Sequence, residues 1–407
     1  MRLIHAADLH LGYRAYHRAN PHGVNVREAD VARAFRELLD RTARIGPDFL
    51  LVAGDVFHTV RPSNAAIADA FRQISRFRAR SKQTHVVIIA GNHDSPKAAE
   101  TGSILRLFGE IEGVHVVHNQ ARRLGFPELD TAILCLPHSE LVAGAEIAIE
   151  PDPGFGFNIL LAHAAIDDQR LKLLMDFGAA RLAREAFDAS QWSYVGLGHY
   201  HLRSRLEPNM FYAGAIERTS LNIWAEADNA RAIAGDGAED VWPEADWGKG
   251  FVEFDLQSGE AVFHKLEAPR AVYDIAPIMT GDLSPSELDA AIEAAVATVP
   301  GGIDDKIVRL RIFNIAREVY RELDHRRVRE YRTRALHFHL VAQPPLVVRR
   351  KGSGAPGRRL TLPEELSEFI RHGWRPDQDK LDRERLIELG LRYLQQAEEA
   401  LETGDKA

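Results

Sequence analysis

Asp8, His10, Asp55, Asn92, His93, His163, His199 and His201 stand in five short polar clusters along the chain. Carboxylate, imidazole and amide oxygen are the donor types that hold a pair of divalent ions in the manganese, iron, zinc or magnesium range. Thiolate chemistry is not on offer, because the only cysteine, Cys135, sits in an apolar stretch and reads as a small buried hydrophobe. Two ions about 3.5–4 Å apart need one bridging carboxylate and several terminal ligands each. Asp55 has the position for the bridge. Each cluster alone is weak: Asp8 and His10 read equally well as a helix-capping aspartate and a turn histidine. The combination carries the signal, since each member ends an apolar run.

Those runs are the elements that must position the site. Residues 2–7, 49–53, 86–90, 158–162 and 192–197 are short, aliphatic or β-branched, and do not alternate with polar residues. Strands covered on both faces read this way. Between them, 28–44 and 63–80 carry apolar residues at helical spacing. This is an α/β layout, and ligands of open α/β sheets gather at the carboxyl ends of strands, where all five clusters fall. Residues 225–246 hold seven acids and a single arginine, Arg231, and read as an exposed insertion loop. Strands are expected to resume at 250–255, 261–266 and 271–279. A helix at 284–299, a strand at 307–313, a charged helix at 318–332 and a strand at 335–341 then give a small two-layer unit over 271–342.

Beyond it, 343–359 combines prolines, glycines and five basic residues without an acid, and reads as a linker. Two amphipathic helices follow, 362–373 and 381–401, with too little core of their own. They are the candidate partner-binding segment, though packing back onto the same chain is the competing reading. The chain has 407 residues, and 51 Lys and Arg against 59 Asp and Glu leave a formal net charge of −8. The sum hides an uneven distribution: 306–334 has ten basic and four acidic residues. Its arginines, Arg326, Arg327 and Arg329 among them, suit phosphate-backbone contact, and equally a solvated helix face. A single cysteine excludes an internal disulfide and a zinc finger. No apolar run approaches the roughly 18 residues of a membrane helix, and no signal peptide is evident, so a cytoplasmic location is expected.

Asp8-Leu9-His10, Gly54-Asp55, Gly91-Asn92-His93-Asp94, His163 and Gly198-His199-Tyr200-His201 resemble the five signature motifs of the calcineurin-like metallophosphoesterases. Gly12 after the first motif, Val56-Phe57-His58 after the second, Gly214-Ala215-Ile216-Glu217-Arg218 and Lys249-Gly250-Phe251 are similar to the SbcD-type DNA repair exonucleases. The resemblance covers 1–270 by motif and 271–342 by element order.

That resemblance implies a two-sheet sandwich flanked by helices (1–270), a small α/β capping domain that binds DNA (271–342), the linker, and a helical tail (360–407) that docks on an SbcC-like ATPase of the SMC type. It implies two ions, manganese by family habit. One would be held by Asp8, His10, Asp55 and His201, the other by Asp55, Asn92, His163 and His199. His93 would contact the scissile phosphate and assist the leaving oxygen, and His58 would help place the phosphodiester. Asp94 reads either as a carboxylate orienting a histidine or as a helix N-cap. The function implied is a dimeric, metal-dependent DNA nuclease of double-strand-break repair, acting as an exonuclease on duplex ends and an endonuclease on single strands. A phosphoesterase for small molecules or proteins, and a DNA-end-binding scaffold, are the alternatives.

Overall fold

The computed structural model describes the chain except residues 97–101, 145–147, 168–179, 221, 236–247, 282, 346–361, 375–381 and 405–407. The linker expected at 343–359 lies mostly outside the described residues. The chain divides into two compact units, Met1–Pro345 and Leu346–Ala407.

The first unit opens with β1 (Arg2–Ala6), α1 (Val26–Ile45), β2 (Phe49–Ala53), α2 (Asn64–Arg80), β3 (His85–Ile89) and β4 (Val114–Val117). Helix α1 starts where Asn25 accepts hydrogen bonds from the Arg27 and Glu28 amides, and stops at Gly46 in the left-handed conformation. Ser63 caps α2 through the Ala66 amide. The second half supplies β5 (Arg122–Phe126), β6 (Thr131–Leu136), α3 (His138–Ala143), β7 (Phe157–His163), the short pair β8 (Ala165–Ile166) and β9 (Arg181–Leu182), then β10 (Tyr194–Gly198), β11 (Ser204–Glu207) and β12 (Met210–Tyr212). Helix α4 (Ile223–Gly235) precedes the hairpin β13 (Gly250–Asp255) and β14 (Ala261–Lys265).

Two six-stranded sheets result, ordered β14-β13-β1-β2-β3-β4 and β11-β12-β10-β7-β6-β5. Strands β1 to β4 run parallel, as do β6, β7, β10 and β12. The strands show little hydrophobic alternation because both faces are covered. Ile4, Leu50, Val52, Val86 and Ile88 pack under α1 and α2. Leu3, Phe49, Leu51, Val87 and Ile89 point the other way, against Ile133, Ile159, Leu161, Tyr194 and Phe211 of the second sheet. Both sheets therefore present their loops at one edge, the carboxyl ends of the parallel strands.

Residues 272–342 hold β15 (Val272–Met279), α5 (Pro285–Ala297), β16 (Ile307–Phe313), α6 (Arg317–Glu322), α7 (His325–Arg334) and β17 (His337–Ala342). The three strands form a parallel sheet with its own core around Leu288, Ile292, Leu310 and Phe338. Helix α5 begins with a reciprocal capping box between Ser284 and Glu287.

Two expectations change. The charged helix at 318–332 is two helices, because Leu323 turns inward in extended conformation and Asp324 then caps α7 through the Arg326 and Arg327 amides. The acidic stretch at 225–246 is not an exposed loop where it is described. Its first part is α4, with Glu226 buried against Lys249 and Asp228 paired with Arg309 of β16. Partnered acids can be buried, and charge composition does not reveal the partners.

The second unit holds α8 (Leu362–Glu368), a wider helical turn at Phe369–Gly373, and α9 (Arg383–Gly404). Arg371 grips Glu384 with two hydrogen bonds of 3.1 and 3.0 Å, and Arg383 donates to the carbonyls of Ile370, Arg371 and Trp374. Phe369 and Tyr393 stay 58 % and 63 % exposed, so this pair of helices leaves aromatic surface uncovered.

Candidate metal centre

The loops after β1 and β2 lie side by side. Asp8 and His10 donate their amides to the carbonyls of Gly54 and Asp55 at 3.0 and 2.9 Å. Backbone φ is positive at Asp8 (51°), His10 (47°), Asp55 (50°) and His199 (106°), which turns the side chains sharply into one space. Gly54 must lack a side chain: at φ 87° a Cβ would stand 2.3 Å from His163 Nδ1. At Gly198 it would stand 1.9 Å from the Ala53 carbonyl oxygen. These glycines let β2, β7 and β10 converge.

The donor atoms of Asp8, His10 and His201 lie within 4.8 Å of one another, as do those of Asp8, Asp55 and His163. Asp55 stands between the groups, with Oδ2 3.7 Å from His10 Nε2 and Oδ1 3.6 Å from His163 Nε2. The Asn92 amide oxygen is 3.0 Å from His163 Nε2 and 3.3 Å from His199 Nδ1. His199 also gives its backbone N–H to Asp8 at 3.1 Å. His163 donates from Nδ1 to the Ala53 carbonyl at 2.7 Å, which leaves the Nε2 lone pair facing Asn92 and Asp55.

His93 and His58 close the opening. His93 gives its backbone N–H to Asp55 at 2.8 Å, and its Nδ1 donates to the His58 carbonyl at 2.6 Å. The two rings stack at 5.3 Å, and the His93 ring stands edge-on to His10 at 4.8 Å. Tyr13 packs on His58 at 4.9 Å.

The electrostatics suit a cation. Burial raises the Asp8 carboxyl well above its ordinary range, with Asp55 adding to the shift, and burial lifts Asp55 to about 6. Burial lowers His10 strongly, and His163 and His201 to about 3, so their rings are neutral with free lone pairs. Carboxylates that cannot comfortably stay charged, beside neutral imidazoles, are a donor set that a dication would satisfy. Asp8, His10, Asp55, Asn92, His163, His199 and His201 therefore fit a pair of divalent ions.

Asp94 does neither thing expected of it. It is buried and accepts from the amides of Val56, Phe57 and Gly91 at 2.9, 2.9 and 3.1 Å, tying the β2 loop to the β3 loop. Burial, helped by Asp55, pushes its carboxyl up to about 7. Glu217 and Arg218 anchor α1: Arg27 donates to the Glu217 carboxylate at 3.2 Å and the Arg218 carbonyl at 2.8 Å. Arg326, Arg327 and Arg329 sit apart from the cluster on α7. Arg327 pairs with Glu293 at 2.5 Å and Arg326 with Glu330 at 3.9 Å, while Arg329 is exposed. Ser220, Glu226 and Lys249 adjoin His201, and sequence reasoning missed them as parts of the site. The one sequence signal at Lys249 is its place in the Lys249-Gly250-Phe251 motif, and Glu226 is one of seven acids between 225 and 246 with nothing in the sequence to set it apart.

Residues 1–203 match the family model for calcineurin-like phosphoesterases. With the two-sheet fold and the carboxylate–imidazole cluster, this places the chain in the calcineurin-like metallophosphoesterases, a class of metal-dependent phosphoester hydrolases. Among curated proteins it is similar to the DNA double-strand break repair protein Mre11 of three archaea. It is 34 % identical to that of Methanococcus maripaludis over 113 residues, 28 % of each chain. It is 25 % identical to that of Methanocaldococcus jannaschii over 278 residues, 66 % of each chain. For Thermoplasma acidophilum the figures are 26 % over 230 residues, 54 % of this chain and 57 % of the relative. The matches thus span less than two thirds of each relative's length. Among the described residues, no helix is long and apolar enough to cross a membrane.

Proposed function

We propose that the protein is a two-metal DNA nuclease of double-strand-break repair, an exonuclease on duplex ends and an endonuclease on single strands, with manganese as its ion. The observation that carries this reading is the convergence of six further candidate ligands around Asp55, with His93 and His58 at the opening. A bound pair of divalent ions would acidify a bridging water and neutralise charge on the phosphate oxygens. The chain's own residues do the rest. Asp55, with one oxygen toward His10 and the other toward His163, would be the ligand common to both ions. His93 is oriented by its hydrogen bond to the His58 carbonyl, which leaves Nε2 to protonate or stabilise the departing oxygen. The stacked His58 ring narrows the approach for a phosphodiester.

Residues 1–270 would be the nuclease domain and 271–342 the capping domain, with Arg326, Arg327 and Arg329 offered to DNA. Exposed Phe369, Leu389 and Tyr393 support the second unit as the segment that binds an SbcC-like ATPase. A homodimer in the cytoplasm completes the reading. An apolar groove on α2, lined by Ile67, Phe71 and the exposed Leu107, supports the dimer. The test is nucleotide release from end-labelled duplex, and nicking of circular single strands, by the full chain with Mn2+. Failure to cut DNA with or without the ATPase, while a small phosphodiester is turned over, would overturn the reading.

A further inference from the structure

His201 faces two ways. Its Nε2 lies 2.9 Å from His10 Nε2 in the ligand cluster, and its Nδ1 lies 3.0 Å from Ser220 Oγ. Ser220 is in turn hydrogen-bonded to Glu226 Oε2. A carboxylate only accepts, so the Ser220 O–H points at Glu226 and its oxygen lone pair faces the ring. Nδ1 must then carry the imidazole proton, and Nε2 presents its lone pair to the cluster. The other Glu226 oxygen is paired with the buried Lys249 ammonium, which also donates to the His201 backbone carbonyl at 2.8 Å. Ring and backbone of His201 are thus both tied to one buried ion pair.

Glu226 is held from its far side as well. It lies in the first turn of α4. On the same helix Trp224 packs on the Arg309 guanidinium, 4.9 Å from ring centroid to Cζ, and Asp228 takes two hydrogen bonds from Arg309 at 2.9 and 3.1 Å. Ile223 and Trp224 also pack on Ile307 and Leu336 of the small α/β unit. The carboxylate is therefore fixed between the ligand cluster and the 272–342 sheet.

We propose that Glu226, acting through Ser220, is a positioning residue that sets the tautomer of His201 for divalent-ion binding. The proposal rests on the metal-site reading above. It touches no reacting atom: Glu226 stays on the Nδ1 side, away from the cluster. Gln at 226 would keep the shape but reverse the logic. Its amide can donate to Ser220 Oγ, which frees the hydroxyl to donate to Nδ1 and moves the ring proton to Nε2.

The experiment is Mn2+ titration of the full chain by calorimetry, for the wild type, Glu226→Gln, Ser220→Ala and Ser220→Thr. The wild type should take up two ions. Glu226→Gln and Ser220→Ala should each weaken one of the two by about 10- to 100-fold and leave the other unchanged. Ser220→Thr, which keeps the hydroxyl, should restore it. Nitrogen-15 spectra of the histidine rings in the chelated chain should place the His201 proton on Nδ1 in the wild type and shift it in Glu226→Gln. Two-ion uptake by the wild type with unaltered affinities and tautomer in both variants would overturn the proposal and leave the metal-site reading standing. A wild type that takes up no ion would remove both.

Discussion

His93 and Asp55 are neighbours through a backbone hydrogen bond, yet different roles are proposed for them. Asp55 stands among the candidate ligands, whereas His93 Nδ1 is taken up by the His58 carbonyl. His93→Leu is therefore expected to lower kcat for DNA cleavage by roughly 10²- to 10⁴-fold while Mn2+ uptake stays intact. Single-turnover cleavage alongside an ion-binding isotherm checks it, and a parallel loss of both would place His93 among the ligands. Gly198 matters for packing rather than chemistry, since a methyl group there meets the Ala53 carbonyl backbone, which cannot swing aside. Gly198→Ala should cost about 3 kcal/mol in urea unfolding, the upper end of what overpacking usually costs. A loss below about 1 kcal/mol would mean the loops can part without unravelling the cluster.

Elements were legible in proportion to how much of their identity is local. The strand at 49–53 stands where its apolar run places it, buried along its whole length, and the strand at 250–255 stands where it is expected with one face buried throughout. The break between α6 and α7 was not visible, because a buried leucine followed by a capping aspartate looks the same inside a helical pattern as between two helices. The convergence of the candidate ligands was legible in their placement as strand-end polar groups. The roles of Asp94 and Glu226 were not, since each depends on amides or side chains brought from distant segments. His5 shows what the sandwich imposes on a residue inside an element. It lies in β1 between the sheets, with Nδ1 2.9 Å from the Tyr194 hydroxyl, and burial lowers it to about 3. The folded chain thus refuses a proton that the unfolded chain accepts below its ordinary pKa of about 6.5. The stability lost through this group grows as pH falls from about 6.5 toward 3, and reaches roughly 2 kcal/mol at pH 5. Urea unfolding at pH 7, 6 and 5 should show a shallower decline for His5→Asn than for the wild type. Parallel declines would assign the acid sensitivity to other groups.

At the scale of the whole molecule, the proposed dimer is tested at the apolar groove beside α2. Leu107, 39 % exposed beside Ile67 and Phe71, gives the clearest handle. Leu107→Glu should convert the dimer to a monomer in sedimentation velocity with little change in melting temperature, and a wild type that sediments as a monomer would refute the assignment. The left-handed backbone at Asp8, His10, Asp55 and His199 has a wider consequence. Each such residue costs on the order of 1 kcal/mol or more, and the buried, mutually repelling carboxylates add to it. The cluster therefore works against folding, and an ion that binds only the folded chain becomes a folding ligand. At a free concentration one hundred times its Kd, one ion adds about 2.7 kcal/mol. Mn2+ should raise the melting temperature and a chelator should lower it. Asp8→Asn should reverse the order, melting higher than the wild type under chelator and no longer responding to the full increment of the ion. Selection for activity would then keep this chain less stable than its sheets alone would allow.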